Sequence, residues 1–345
     1  MKKRATIIFI LIFILILSGC SSKTVSTKET NNDNMAKSNV VSNTYQKQPE
    51  IVQNICYFTG NEYNNDHYIF AVMINNELGA IPQSSLNEAE MLYEALIEGG
   101  ATRIMAIYHH TYPKKIGPIR SARPYFMQIA KSLNAYYVHC GGSPQSYRLI
   151  RNKYIKDIDA IYIGNNIFFR TTDRKAPHNL YSSQEKLISY AKKKGFDKNQ
   201  AKDLYKFTDS FSNVSNGDNS EIIIRFSGWY NIKYKYDSSN LKYLRYIKQK
   251  PHIDKETNEQ IYAKNIVILK AHYNTIRNDD KGRQEVDFSN GSGYLIQEGK
   301  TVNINYTFDL NNSFKLTDSN GKEINLLKGN TWFELVPQYG DIQIK

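Results

Sequence analysis

Two hydrophobic rhythms divide this chain near Phe211, and the change between them limits the folds open to it. Before it, from His67 to about Leu204, apolar runs of strand length alternate with stretches at helical spacing. Residues 67–75, 103–108, 135–140 and 158–163 read as strands. Residues 85–97 read as a helix: Ser85-Leu86-Asn87-Glu88 has capping-box spacing, Leu86, Ala89, Tyr93, Leu96 and Ile97 share a stripe, and Gly99-Gly100 supplies the stop. Residues 124–133, 144–151 and 183–194 are further helices. Beyond the change, Ile-, Tyr- and Val-rich runs at 221–226, 232–236, 265–273, 293–297, 302–308 and 331–336 alternate with polar residues, with turn signals such as Asn290-Gly291 and Asn320-Gly321 between or near them. These patterns predict an α/β N-terminal domain over 51–210, its sheet mixed or mostly parallel, followed by a β-rich C-terminal domain over 211–345.

Both domains are expected outside the cytoplasm. Met1-Lys2-Lys3-Arg4, an apolar run from Ala5 to Leu17, and Leu17-Ser18-Gly19-Cys20 have the three parts of an export signal, too short for a comfortable membrane span. The ending resembles the bacterial lipoprotein box. It implies a signal peptide over 1–19, cleavage before Cys20, and lipid with palmitate-type acyl chains on that sulfur, anchoring the protein to the cell membrane. Residues 20–50 are Ser, Thr, Asn, Lys and Gln with few apolar groups, the composition of a flexible stalk. Cys56 and Cys140 are either one disulfide or two thiols; two cysteines make no disulfide framework.

The formal charge is +12, and +9 once Lys2, Lys3 and Arg4 are removed. At a bacterial surface this favours anionic partners, such as phospholipid head groups, phosphate-bearing polymers or lipid-linked sugar phosphates. Export and the lack of a binding motif argue against nucleic acid.

In an open α/β sheet, ligands gather where strands end. Asn75 stands at one such end. In Ile116-Gly117-Pro118-Ile119-Arg120-Ser121-Ala122-Arg123-Pro124, Pro124 suits the first helical position, which sets Arg120, Ser121 and Arg123 at a helix N-terminus where the dipole disfavours cations. Either an anion offsets that cost, or the arginines pair with carboxylates such as Glu94, Glu98 or Asp173. His139, Gly141, Gly142 and Ser143 form a strand-to-helix turn that lacks phosphate-loop spacing. Asp173, Arg174, His178 and Asn179 crowd a further loop without assigning roles. His109 and His110 have no ligand spacing with His139 or Asp173, so neither a metal nor a cofactor is expected.

Ala71-Val72-Met73-Ile74-Asn75-Asn76, Tyr93-Glu94-Ala95-Leu96-Ile97-Glu98-Gly99-Gly100, the Ile116–Pro124 stretch, Val138-His139 before Gly-Gly-Ser-Pro, and Ala176-Pro177-His178-Asn179-Leu180-Tyr181 resemble the YerB-like bacterial lipoproteins. Tyr243-Leu244-Arg245, Pro251-His252-Ile253-Asp254, Asn265-Ile266-Val267 and Thr331-Trp332 resemble that family's carboxy-terminal part. The resemblance implies a two-part architecture and a surface location, and supplies no reaction. Cys140 stands where a small residue is expected in the family, which counts against a thiol mechanism. Three functions stay open: binding of an anionic envelope ligand, phosphotransfer to or from a lipid-linked glycan, and docking of a protein partner through the β-rich domain.

Overall fold

The computed structural model describes residues 54–63, 68–199, 204–210 and 219–345. The expected signal peptide, the stalk with Cys20, His67 and much of the junction after Phe211 lie outside the described residues. Among the described residues no helix is long and apolar enough to cross a membrane.

The largest sheet has eleven strands among the described residues. The first half contributes β1 (Phe70–Asn75), β2 (Met91–Leu96), β3 (Thr102–Tyr108), β4 (Tyr136–His139) and β5 (Asp157–Asp159). From the second half come β6 (Asn265–Thr275), β7 (Gln284–Asp287), β8 (Asn290–Gln297), β9 (Lys300–Asp309), β10 (Ser313–Thr317) and β11 (Thr331–Pro337). The order is β10-β9-β8-β6-β11-β2-β3-β1-β4-β5, with β7 paired to the far end of β6. Strand β11 runs parallel to β6 on one side and to β2 on the other, so the two halves share one hydrogen-bonded ladder. A six-stranded antiparallel sheet, including Glu221–Arg225, Asn231–Asp237 and Lys242–Ile247, completes the second half.

The first half is mixed, as expected: β3 is antiparallel to β1 and β2, while β4 is parallel to β1 and β5. Every residue of β1, β2, β3 and β11 is buried. A strand covered on both faces reads as a continuous apolar run, which is why β1 and β3 were legible. Helices α1 (Pro124–Ser132), α2 (Pro144–Arg151), α3 (Ala160–Ile163) and α4 (Gln184–Lys193) accompany this half.

Two local expectations fail. Residues 85–97 are not a helix, because Met91–Leu96 is the central strand β2. Met, Leu, Glu and Ala prefer a helix by only tenths of a kcal/mol each, about 0.7 at most, whereas burying a large apolar side chain contributes about 1.5–3 kcal/mol. The Ser85 hydroxyl still donates to Glu88 Oε1 at 2.7 Å, but Ser85 has φ of 65° and no helix starts there. Residues 158–163 are not one strand either. Asp159 Oδ1 accepts the Ile161 N–H at 3.0 Å and opens α3 at residue 160. Cys56 and Cys140 are separate thiols.

Candidate functional site

Arg103 occupies the second position of β3 and is 1% exposed. Its Nη1 donates to the Ser121 carbonyl at 3.1 Å, and its Nη2 lies 3.9 Å from Glu77 Oε1. Its Nε is buried with no hydrogen-bond partner. Burial, followed by the charges of Arg123 and Arg120, pulls the guanidinium down to about 9, with Glu98 and Glu77 only partly offsetting them. The group stays protonated at neutral pH, but in a field with too little negative charge.

Arg120 enters the same space from an extended segment. Its N–H donates to Met73 O at 2.9 Å and its carbonyl accepts the Cys140 N–H at 3.0 Å, which fixes it between β1 and the turn after β4. Arg120 Nη2 is 3.5 Å from the Glu77 oxygen that faces Arg103, and Arg120 Nε is also buried without a partner. Arg123 is the N-cap of α1, with Pro124 in the first turn. Of the two readings left open for it, the structure shows the carboxylate: Nε donates to Glu98 Oε2 at 3.1 Å and Nη2 pairs with Glu98 Oε1. Burial raises the Glu98 carboxyl, but Arg123 outweighs it and the net shift is downward.

These arginines line a cavity of about 160 Å³ with Glu77, Glu98, Ser121, Gly142, Ser143, Lys281 and Arg283. Five cationic side chains therefore face two carboxylates. Arg123, Ser143 and Arg283 also line an adjoining cleft of about 600 Å³ between α1 and α2 on one wall and the β6–β7 hairpin on the other. The second half thus closes a site built mainly on the first. Arg283 is braced by Asp279 at 2.7 Å and by Asp280 at 3.1 Å.

Five of the expected residues meet here: Arg120, Ser121, Arg123, Gly142 and Ser143. Asn75 and His178 stand behind them. Asn75 Nδ2 is 2.9 Å from His178 Nδ1, Asn75 Oδ1 accepts the Glu77 N–H at 3.2 Å, and His178 Nδ1 is 3.7 Å from Glu77 Oε2. Asn75 holds the Glu77 backbone, and His178 lies beside the carboxylate between Arg103 and Arg120.

The others have fastening contacts instead. Fully buried His139 contacts Gly141 O at 2.8 Å and Asp157 Oδ2 at 3.2 Å, while the Gly141 N–H donates to Asp159 Oδ1 at 2.9 Å. Arg174 donates to the carbonyls of Ala80 and Pro82 at 2.5 and 2.6 Å. Asn179 spans Thr171 O and Arg174 O at 2.8 and 3.1 Å. Asp173 pairs with Lys255, whose hydrogen bond holds its carboxyl well below the usual range.

Glu77 and Arg103 were not singled out from sequence, whereas Glu98 was weighed there as a partner for the arginines. Arg103 carried a usable signal, a guanidinium inside an otherwise apolar strand. Nothing local tied Lys281 and Arg283 to this site, because only the hairpin's packing brings them to the first half.

The fold is that of a two-part, sheet-rich protein in which an α/β half and an antiparallel half share a sheet. Residues 58–197 match the model described as "Protein of unknown function (DUF3048) N-terminal domain", and residues 222–333 match the corresponding C-terminal domain. "Putative lipoprotein YerB" of Bacillus subtilis (strain 168) is 30% identical over 270 residues, covering 77% of this chain and 80% of that protein. A crystal structure of the YerB protein from Bacillus subtilis matches with a TM-score of 0.76 and 27% identity, over 84% of this chain and 100% of that one. The chain belongs to the DUF3048 family, and its resemblance to YerB-like lipoproteins is a true relationship.

Proposed function

We propose that the arginine cavity holds a phosphate- or carboxylate-bearing group of a cell-envelope ligand, on a protein tethered outside the membrane by lipid on Cys20. The observation that carries this reading is Arg103: a buried guanidinium with an unpartnered Nε, whose nearby carboxylates Glu77 and Glu98 are already shared with Arg120 and Arg123. Burying cations without matching anions is costly, and a bound anion offsets that cost by charge-assisted hydrogen bonds. The adjoining cleft leaves room for the rest of an organic ligand.

Binding is favoured over turnover because the pocket's two carboxylates and the Ser143 hydroxyl are already engaged. Glu77 and Glu98 face arginines, and Ser143 caps α2 by accepting the Ser146 N–H at 3.1 Å. The tether rests on Leu17-Ser18-Gly19-Cys20 and on the lipoprotein name of the relative.

Thermal melts at low ionic strength with inorganic phosphate, pyrophosphate and a sugar phosphate test the site. At a hundredfold excess over Kd, a bound anion stabilises by about 2.7 kcal/mol. If none of the three moves the melt, the cavity is not an anion site. Intact-mass analysis of membrane-purified protein tests the tether, with diacylglycerol expected on Cys20 and release expected for Cys20→Ala. An unmodified, freely soluble wild type excludes it.

A further inference from the structure

At the opposite end of β3 from Arg103, a second polar cluster is enclosed in the core. Cys56 follows the strand Asn54–Ile55, Glu90 precedes β2, and His109 and His110 follow β3. One ligand atom from each of the four lies within 4.8 Å of all the others. Cys56, Glu90 and His109 are buried, and the His110 side chain is 18% exposed.

We propose that Cys56, Glu90, His109 and His110 form a binding site for a divalent transition-metal ion of the zinc class. One sulfur, two imidazoles and one carboxylate suit zinc, whereas calcium and magnesium require oxygen donors. Donors around tetrahedral zinc sit about 2.0–2.3 Å from the metal, so a contraction of about 1 Å between the present positions closes the set.

The carboxylate supplies an independent observation. Glu90 Oε1 accepts the backbone N–H groups of His110 at 2.8 Å and Thr111 at 3.2 Å, which orients the group as outer contacts orient metal-bound carboxylates. Glu90 Oε2 is buried and has no hydrogen-bond partner. A carboxylate oxygen shielded from water needs a positive partner, and a cation between it and the neighbouring donors supplies one. Aromatic rings enclose the imidazoles: Tyr63 stacks on His110 at 5.2 Å and Phe58 meets His109 edge-on at 6.0 Å. They restrict both ring rotation and water.

Cobalt(II) and zinc titrations of the full chain, reduced and stripped with chelator, test the site. One equivalent of cobalt is expected to give intense tetrahedral visible bands and a near-ultraviolet thiolate band, and zinc to raise the melting temperature. Cys56→Ser is expected to remove the thiolate band and weaken zinc binding by more than about 100-fold. His109→Gln should weaken zinc to a similar degree while keeping that band at high cobalt. If Cys56→Ser does not fold, the wild-type cobalt spectrum still reads the donor set directly. A wild type without tetrahedral bands or zinc stabilisation returns the cluster to a His110–Glu90 contact at 3.1 Å beside a thiol, and a thiolate band that persists in a folded Cys56→Ser also overturns the site.

Discussion

Arg245 of the six-stranded sheet and Glu94 of β2 form an ion pair in which neither side chain is exposed to solvent. Arg245 also donates from Nε to Tyr234 Oη at 3.2 Å and lies over the Trp332 ring at 4.5 Å. Glu94 Oε1 accepts from Asn76 Nδ2 at 3.0 Å and Thr102 Oγ1 at 2.5 Å. The pair therefore locks the two halves through hydrogen bonds that reach it from both.

Arg245→Met is expected to destabilise the protein by about 3–5 kcal/mol in urea melts, the usual cost of leaving a buried charge unpaired. Glu94→Gln should cost less, because Glu334 is close enough to become the counter-ion of Arg245. Equal losses, or losses below about 1 kcal/mol, would show that the pair does not hold the halves together.

Glu334 should make stability fall as pH rises. Burial, followed by the negative charge of Glu94, holds its carboxyl well above 4.5, and Tyr234 Oη donates to its Oε1 at 2.5 Å. A carboxyl with a raised folded pKa binds its proton more tightly in the folded state. Its contribution is complete below the unfolded value of 4.5 and declines as pH rises toward and through the folded value. Glu334→Gln should remove that decline, gaining on the wild type between about pH 5 and 8 in thermal melts. Parallel curves would show that Glu334 is already ionised in the folded protein.

Arg120 and Arg123 should separate in function. The Arg120 side chain is 27% exposed, so Arg120→Gln is expected to change unliganded stability by less than about 1 kcal/mol while removing most of the pyrophosphate-induced shift in Tm. The Arg123 side chain is 6% exposed and paired with Glu98, so Arg123→Gln should lower Tm without any ligand. The reverse order would move the ligand contact from Arg120 to Arg123.

Gly293 permits the close approach of β8 to β6. A Cβ there would run into the Ile268 carbonyl oxygen, which cannot yield without breaking the ladder. Gly293→Ala is expected to cost about 1–3 kcal/mol or more, read by denaturant melts. A neutral substitution would mean that β6 and β8 shift apart freely.

Strand β2 shows where sequence reading reached its limit. Its residues match a helical stripe, and nothing local reveals that β3 and β11 wait on either side, the latter more than two hundred residues away. By contrast, α1 and α2 were legible to within a residue, because Pro124 and Pro144 open them and apolar spacing carries them. Arg120 and Arg123 were found by their cost at a helix start, a local signal. Arg103, Lys281 and Arg283 gain their meaning only from one another.

The order of residues alone was enough to reveal the change from α/β to antiparallel pattern, most strands and helices, and an arginine cluster near a helix start. Hydrophobic period, proline and end-group chemistry act over a few residues, so these features are written locally. Joining the halves through β11, pairing Arg123 with Glu98, leaving Arg103 under-neutralised and gathering Cys56 with Glu90, His109 and His110 all depend on contacts between distant segments. Charge balance and burial in a folded core are properties of neighbours in space, and only packing decides which neighbours those are.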